Sequence, residues 1–250
     1  MSNPKVLIAA PIAGAKQYSM GDWLEWIARQ NYPIDSFDVC LCANGESAKD
    51  LLKQINESEI EYPNHTKKII GLELKNSNEL TIIQKITYAR EMIRRYAVEN
   101  EFDYIFFLDT DTIPLNLDAI QELINQEKDV VSGVYFYKSS KVPVIIDIET
   151  STNVSIEKLA KSFGESSSIE CWGFGFGCLL LSRKAFESAE FDYNLFKEER
   201  TDDFGYCEVL SQLGIRRYYY GRVVCIHLEN PEKDNLGSPF PFKVKEGKRL

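Results

Sequence analysis

The spacing of apolar residues predicts strands and helices in alternation along the first half of the chain. Residues 5–10 form a short apolar run ending at Pro11, with a polar turn behind it over 14–18. Trp23, Trp26 and Ile27 recur at helical spacing within 22–30, and Pro33 stops that helix. A second strand over 37–43 runs into the turn pair Asn44-Gly45, after which Ser47 is placed to cap a helix carrying Leu51, Leu52 and Ile55. A third strand is expected over 67–74. Residues 79–97 set Ile82, Ile83, Ile86, Ala89, Ile93 and Ala97 on one face of a long helix, with Arg90 and Arg94 on another. The fourth strand, 104–108, is apolar throughout and stops abruptly at Asp109-Thr110-Asp111.

This order predicts an α/β fold, a mostly parallel central sheet with helices on both faces. Beyond the Asp pair the rhythm changes. A strand over 130–136 precedes a polar, irregular stretch over 137–170 that holds a helix at 156–162. A strand at 177–181 and a short helix at 183–188 follow. Residues 201–213 read as a capped helix stopped by Gly214, and 216–220 with 223–227 as a hairpin. No repeat or linker divides the chain. A single domain over 1–228 is expected, followed over 229–250 by a tail or lid with Lys243, Lys245, Lys248 and Arg249. That tail reads as a solvated terminus, a cover for a diphosphate, or a peripheral contact with an anionic membrane.

Composition narrows the function classes. The 250 residues carry 29 Lys plus Arg against 38 Asp plus Glu, a net charge of −9. Without a basic cluster, such a chain argues against nucleic-acid binding. The six cysteines include no C-x-x-C pair, which removes zinc ribbons and thioredoxin motifs. Their apolar surroundings suit buried reduced thiols, and a cytoplasmic location is the expectation. No stretch approaches the ~20 apolar residues of a membrane span, and the first apolar run is too short for a signal sequence. Of two histidines, His65 lies in a polar stretch that reads as surface loop, and His227 ends an apolar run.

The Asp109-Thr110-Asp111 segment carries the most chemistry. A buried strand that delivers two carboxylates one residue apart places them outside the carboxyl ends of the sheet, where α/β folds bind ligands. Alternation sends both side chains the same way, and two like charges that close need compensation. A hard divalent cation such as Mg²⁺ or Mn²⁺ supplies it and also takes phosphate oxygens. The plainer reading is an acidic turn bonded to backbone amides ahead of Pro114.

Taken with four further segments, this motif resembles the D-x-D of family-2-like glycosyltransferases of the GT-A (Rossmann-like) fold. Ala9-Ala10-Pro11-Ile12-Ala13-Gly14 is similar to the first-strand loop that meets the nucleotide. Asn44 stands where an acid usually holds the base or ribose. Tyr88-Ala89-Arg90-Glu91 resembles the helix whose basic residue faces the donor diphosphate, and Trp172-Gly173-Phe174 the acceptor loop. The resemblance spans about 5–228 and implies a nucleotide-binding half over 1–111 and an acceptor-binding half over 112–228. It implies donor contacts from Pro11, Ala13, Asn44, Arg90, Asp109, Thr110 and Asp111, and acceptor contacts from Trp172, Gly173 and Phe174. Mn²⁺ or Mg²⁺ would be held by Asp109, Asp111 and His227.

Asp202-Asp203 resembles the Glu-Asp pair of the same family, in which the second acid is the general base of inverting members. That assigns the base role to Asp203, with Asp202 beside it. Read alone, the pair also suits the first turn of a helix capped by Thr201, where acids gain ~0.3–1 kcal/mol from the dipole. A lone strand-end histidine is often structural, and a Trp or Phe among glycines is as often core as sugar platform. The implied activity is transfer of a sugar from a nucleotide-sugar donor to a glycan, lipid or protein hydroxyl. Two rivals remain. A haloacid-dehalogenase-type phosphohydrolase would use Asp109 as nucleophile, although three strands precede it here instead of none. The other is a non-catalytic nucleotide-sugar or glycan binder. Nucleotidyltransferases carry a G-x-G-[ST]-R loop that 11–17 lacks.

Overall fold

The computed structural model describes residues 3–62, 65–137, 142–195 and 201–228; the expected tail over 229–250 lies outside them. The first half comprises β1 (Val6–Ile12), α1 (Met20–Arg29), β2 (Phe37–Ala43), α2 (Ala48–Asn56), β3 (Glu59–Tyr62), β4 (His65–Glu73), α3 (Ile82–Glu99) and β5 (Tyr104–Leu108). Then come β6 (Thr112–Pro114), α4 (Ala119–Ile124), β7 (Val130–Val134), β8 (Ile145–Ile146), α5 (Ile156–Ser162), β9 (Ile169–Cys171) and β10 (Gly173–Phe174). The last elements are β11 (Cys178–Ser182), α6 (Arg183–Ser188), α7 (Asp202–Gln212) and β12 (Arg217–His227).

The strand order is β3-β4-β2-β1-β5-β11-β7-β12-β6, with β9 also paired to β12. From β4 through β5 all neighbours are parallel, as are β7 and β12; β11 runs against both β5 and β7. Alternation along the strands fills two cores. Val6, Ile8, Val39, Leu41, Phe106 and Leu108 face the Trp23–Ile27 stripe of α1, Leu51 and Ile55 of α2, and Ile120 and Leu123 of α4. Leu7, Ala9, Cys40, Cys42, Ile105 and Phe107 face Ala89, Ile93 and Ala97 of α3, Leu159 of α5, Phe186 of α6, and Tyr206 and Leu210 of α7. Both faces of each central strand are therefore buried, which is why β5 is apolar at every position. All six cysteines are buried free thiols.

Three expectations change. The hairpin over 216–227 is instead the single strand β12, with a register irregularity between Tyr219 and Val224. Gly221, which reads as its turn, is needed for close approach: a Cβ there would lie 2.6 Å from the Ser162 carbonyl oxygen. His65 opens a strand instead of lying in a loop, because β3 and β4 form an antiparallel pair at the sheet edge. Ser47 and Thr201 occupy N-cap positions, but neither side chain bonds the helix backbone; Thr81 and Ser155 do so for α3 and α5.

Candidate active site

The ends of β1, β2 and β5 open onto a cavity of about 340 Å³. Its lining brings together Pro11 at the end of β1 and Ala13 just after it, Asn44 after β2, Arg90 of α3, and Asp109, Thr110 and Asp111 after β5. All seven expected donor contacts thus meet at one place, which is the carboxyl edge where parallel sheets bind ligands. Lys16, Ile82, Lys85 and Ile86 complete the walls.

Once β5 ends, the chain turns: Thr112 N–H donates to the Asp109 carbonyl at 2.8 Å, and the Trp23 indole donates to the Leu108 carbonyl at 3.0 Å. This turn separates the two carboxylates that alternation would have aligned. Asp109 faces α3, where Arg90 Nη2 donates to its Oδ1 at 3.1 Å. Burial pushes the Asp109 carboxyl above its usual range, Arg90 pulls it down, and Asp111 raises it again. Asp111, only 1% exposed, faces the first-strand loop instead. Its Oδ2 accepts from the Lys16 ammonium and from the Tyr18 hydroxyl at 3.2 Å, and lies 3.5 Å from His227 Nε2. Burial, reinforced by Asp111, pushes the Tyr18 hydroxyl up to about 12, so it remains a donor.

Arg90 is committed to more than the cavity. Its Nε donates to Asp202 Oδ2 at 2.9 Å, and its guanidinium lies 5.2 Å from the Phe107 ring centroid and 5.1 Å from that of Phe176. Nη1 is buried and has no hydrogen-bond partner among the described residues. Asp202 is a buried ion-pair partner and not a free acid. Asp203 differs. Its Oδ1 accepts from the Thr201 hydroxyl and from the Phe204 N–H at 2.8 Å, which leaves Oδ2 to take a proton. Burial and the neighbouring Asp202 push its carboxyl up to about 6.

The residues present fit a divalent cation through Asp111 and His227. His227 Nδ1 lies 2.9 Å from the Phe136 carbonyl, which only accepts, so Nδ1 carries a proton and Nε2 is the nitrogen that faces Asp111 Oδ2. In the neutral imidazole Nε2 is an acceptor, and with Asp111 Oδ2 it would frame a cation position. Asp109 does not join them, because Arg90 holds it elsewhere. Among the described residues no group of three or more His, Cys, Asp or Glu side chains converges on a metal. A cation held by one carboxylate and one imidazole would complete its shell with water and substrate oxygens, as Mg²⁺ commonly does.

The expected acceptor loop is packed into the core. Phe174 is fully buried against Phe176, with ring centroids 6.3 Å apart, and β10 pairs with β8. Gly173 is buried against Cys207, and Trp172 tilts over Phe204 at 6.2 Å. As placed, Phe174 is a core residue with no face for a sugar.

No family model matches the chain, and no curated protein matches it. Solved structures do. A197 from STIV aligns over 97% of this chain and 98% of its own, at 16% identity and a TM-score of 0.53. The GT-A glycosyltransferase fold is the architecture shared here. The mannosyltransferase PcManGT from Pyrobaculum calidifontis, in complex with GDP-Man and Mn²⁺, aligns over 90% at 15% identity and a TM-score of 0.58. S. aureus TarS 1-349 with UDP-GlcNAc aligns over 92% at 14% identity and a TM-score of 0.54. This chain spans 57% and 60% of those two chains. Within the GT-A frame, sequence reading missed Lys85, Ile82 and Ile86 in the cavity walls and, most consequentially, Lys16 and Tyr18 beside Asp111. Lys16 and Tyr18 reach Asp111 from 95 and 93 positions away. The available signal was a lone lysine just beyond the first-strand loop.

Proposed function

We propose that the chain transfers a sugar from a nucleotide-sugar donor to an acceptor hydroxyl, with inversion and with help from Mn²⁺ or Mg²⁺. The observation that carries this reading is the cavity at the ends of β1, β2 and β5, whose walls include Asp111, the carboxylate paired with His227. Asn44 donates from Nδ2 to the Ile12 carbonyl at 3.0 Å, which leaves Oδ1 as an acceptor for a donor N–H or hydroxyl where the family has an acid. Lys16, Lys85 and the Arg90 guanidinium supply positive charge to the same walls. Asp111 and His227 would hold the metal, which when bound neutralises charge on the departing diphosphate.

Asp203 is the base in this reading. Its Oδ2 takes the acceptor's proton as the hydroxyl oxygen bonds the anomeric carbon, while the bond from that carbon to the donor phosphate oxygen breaks. The nucleoside diphosphate leaves with the electron pair. A carboxyl raised to about 6 is a stronger base than an ordinary one and is still ionised at neutral pH. The hydrolase alternative needs Asp109 as a nucleophile, yet its Oδ1 is taken by Arg90, which lowers its nucleophilicity.

A screen of sugar nucleotides with Mn²⁺ tests the proposal by the release of nucleoside diphosphate. Asp111→Ala is expected to abolish that release. Wild-type turnover in Asp111→Ala would remove the metal assignment, and an aspartyl-phosphate trapped at Asp109 would select the hydrolase.

A further inference from the structure

Asp111 is the most deeply buried carboxylate of the site, and a charge in that position needs a compensating partner. Its Oδ2 is the oxygen facing His227 Nε2, and the same oxygen carries the Lys16 ammonium. A divalent cation and an ammonium cannot both occupy one carboxylate oxygen, because their like charges repel at contact distance. Lys16 is built to leave. It sits in the short 3-10 helix Gly14–Ser19, its side chain is 41% exposed, and its stem lines the cavity beside Ala13 and Ala15. The Tyr18 hydroxyl, on the same short helix, shares its one proton between Asp111 Oδ2 at 3.2 Å and the Leu228 carbonyl at 3.3 Å, which keeps the loop anchored when the lysine swings. The flexible four-carbon stem lets the ammonium move within the cavity without unfolding anything.

We infer that Lys16 is a displaceable counter-cation. It neutralises Asp111 while the metal and donor are away, yields that oxygen to the incoming divalent cation, and passes its charge to the donor phosphates that enter with it. This inference rests on the proposed metal-dependent transfer and adds an order of events to it. Metal binds weakly to the empty site because it must displace Lys16, and binds more tightly once a phosphate gives the lysine another partner. Metal and nucleotide therefore bind with positive coupling, and the coupling runs through one side chain.

The test is Mn²⁺ binding to the full chain, followed by the electron paramagnetic resonance signal of free Mn²⁺, with UDP and GDP as nucleotide probes. Lys16→Met is expected to bind Mn²⁺ about tenfold more tightly than wild type without nucleotide, a modest factor because the lysine is partly exposed. It should also lose most of the Mn²⁺–nucleotide coupling and show a larger Mn²⁺-induced rise in Tm. Lys16→Arg keeps the charge and should restore weak metal binding, which separates displacement from general damage to the loop. Unchanged or weaker Mn²⁺ binding by Lys16→Met overturns the inference, as does Lys16→Arg binding as tightly as Lys16→Met. If either result comes with Mn²⁺-dependent nucleoside diphosphate release by wild type, the transferase reading stands without the displaceable lysine. If neither protein binds Mn²⁺ with or without nucleotide, and wild type turns over no sugar nucleotide, both readings fall.

Discussion

Replacing Arg90 by Met should cost more stability than any surface change, because it strips a shared cation from two carboxylates while keeping most of the side-chain volume. The Arg90 side chain is 4% exposed, Asp202 12% and Asp109 34%. Breaking a buried pair by removing one partner costs ~3–5 kcal/mol. The Asp109 half is partly screened by the cavity it lines, so the lower end applies, and about 3 kcal/mol is assigned to the loss of compensation at Asp202. The two ring contacts add little more, since a Met sulfur partly replaces the guanidinium over Phe107 and Phe176. For a domain of this size each kcal/mol moves Tm by ~2–4 °C, which gives a fall of roughly 6–12 °C. The pH dependence has a definite sign. Asp109 already sits above its usual range because of burial, and it rises further when Arg90 stops opposing that rise. A carboxyl raised by folding costs stability above its folded pKa, and the cost fades as pH falls through that value. Calorimetry at pH 5 and pH 8 should therefore show the larger deficit at pH 8, and adding Asp202→Asn should recover part of it. A Tm drop below about 3 °C, or no recovery in the double variant, would refute the compensation argument.

Asp203→Asn should keep nucleotide affinity and lose ~10²–10⁴-fold in kcat, measured at saturating donor. Wild-type kcat should fall as pH drops through about 6, because protonation removes the base; a flat profile from pH 5 to 8 would contradict the assignment. Phe174→Ala should cost ~3–5 kcal/mol in urea unfolding and leave acceptor KM unchanged, which separates a core residue from a sugar platform. Gly177→Ala should lower stability by ~1–3 kcal/mol, since its Cβ would lie 2.8 Å from both Thr112 Oγ1 and Tyr135 Cζ; an unchanged Tm would show that Tyr135 gives way.

Much of the first half of the chain was legible because its strands are short, apolar and bounded by turn residues. Residues 37–43 and 104–108 are strands at those bounds, and the break from Leu108 to Asp109 marks the edge of the cavity. The pairing within the site was not legible. Alternation assumes a continuing strand, and the turn after Leu108 sends Asp109 to Arg90 and Asp111 to Lys16. Partners that meet only through the fold, such as Tyr18 with Asp111, leave no local pattern. Gly221 misled for a related reason: a glycine needed for contact with Ser162 has the same sequence signature as one needed for a turn.

Strand β12 has a consequence for how this architecture tolerates change in length. Along one side it pairs with β7 in two registers; along the other, β9 covers Arg217–Tyr219 and β6 covers residues 225–227. Between Tyr219 and Val224 β12 advances five positions while β7 advances two, from Ser132 to Val134, so the irregularity has already absorbed three residues. Any further inserted or deleted residue after it would reverse the facing of every later side chain and swing His227 away from Asp111. Insertions and deletions should therefore accumulate in the loops between β7 and β9, while the eleven residues of β12 stay fixed in number as a ruler that sets the distance between the two halves of the site.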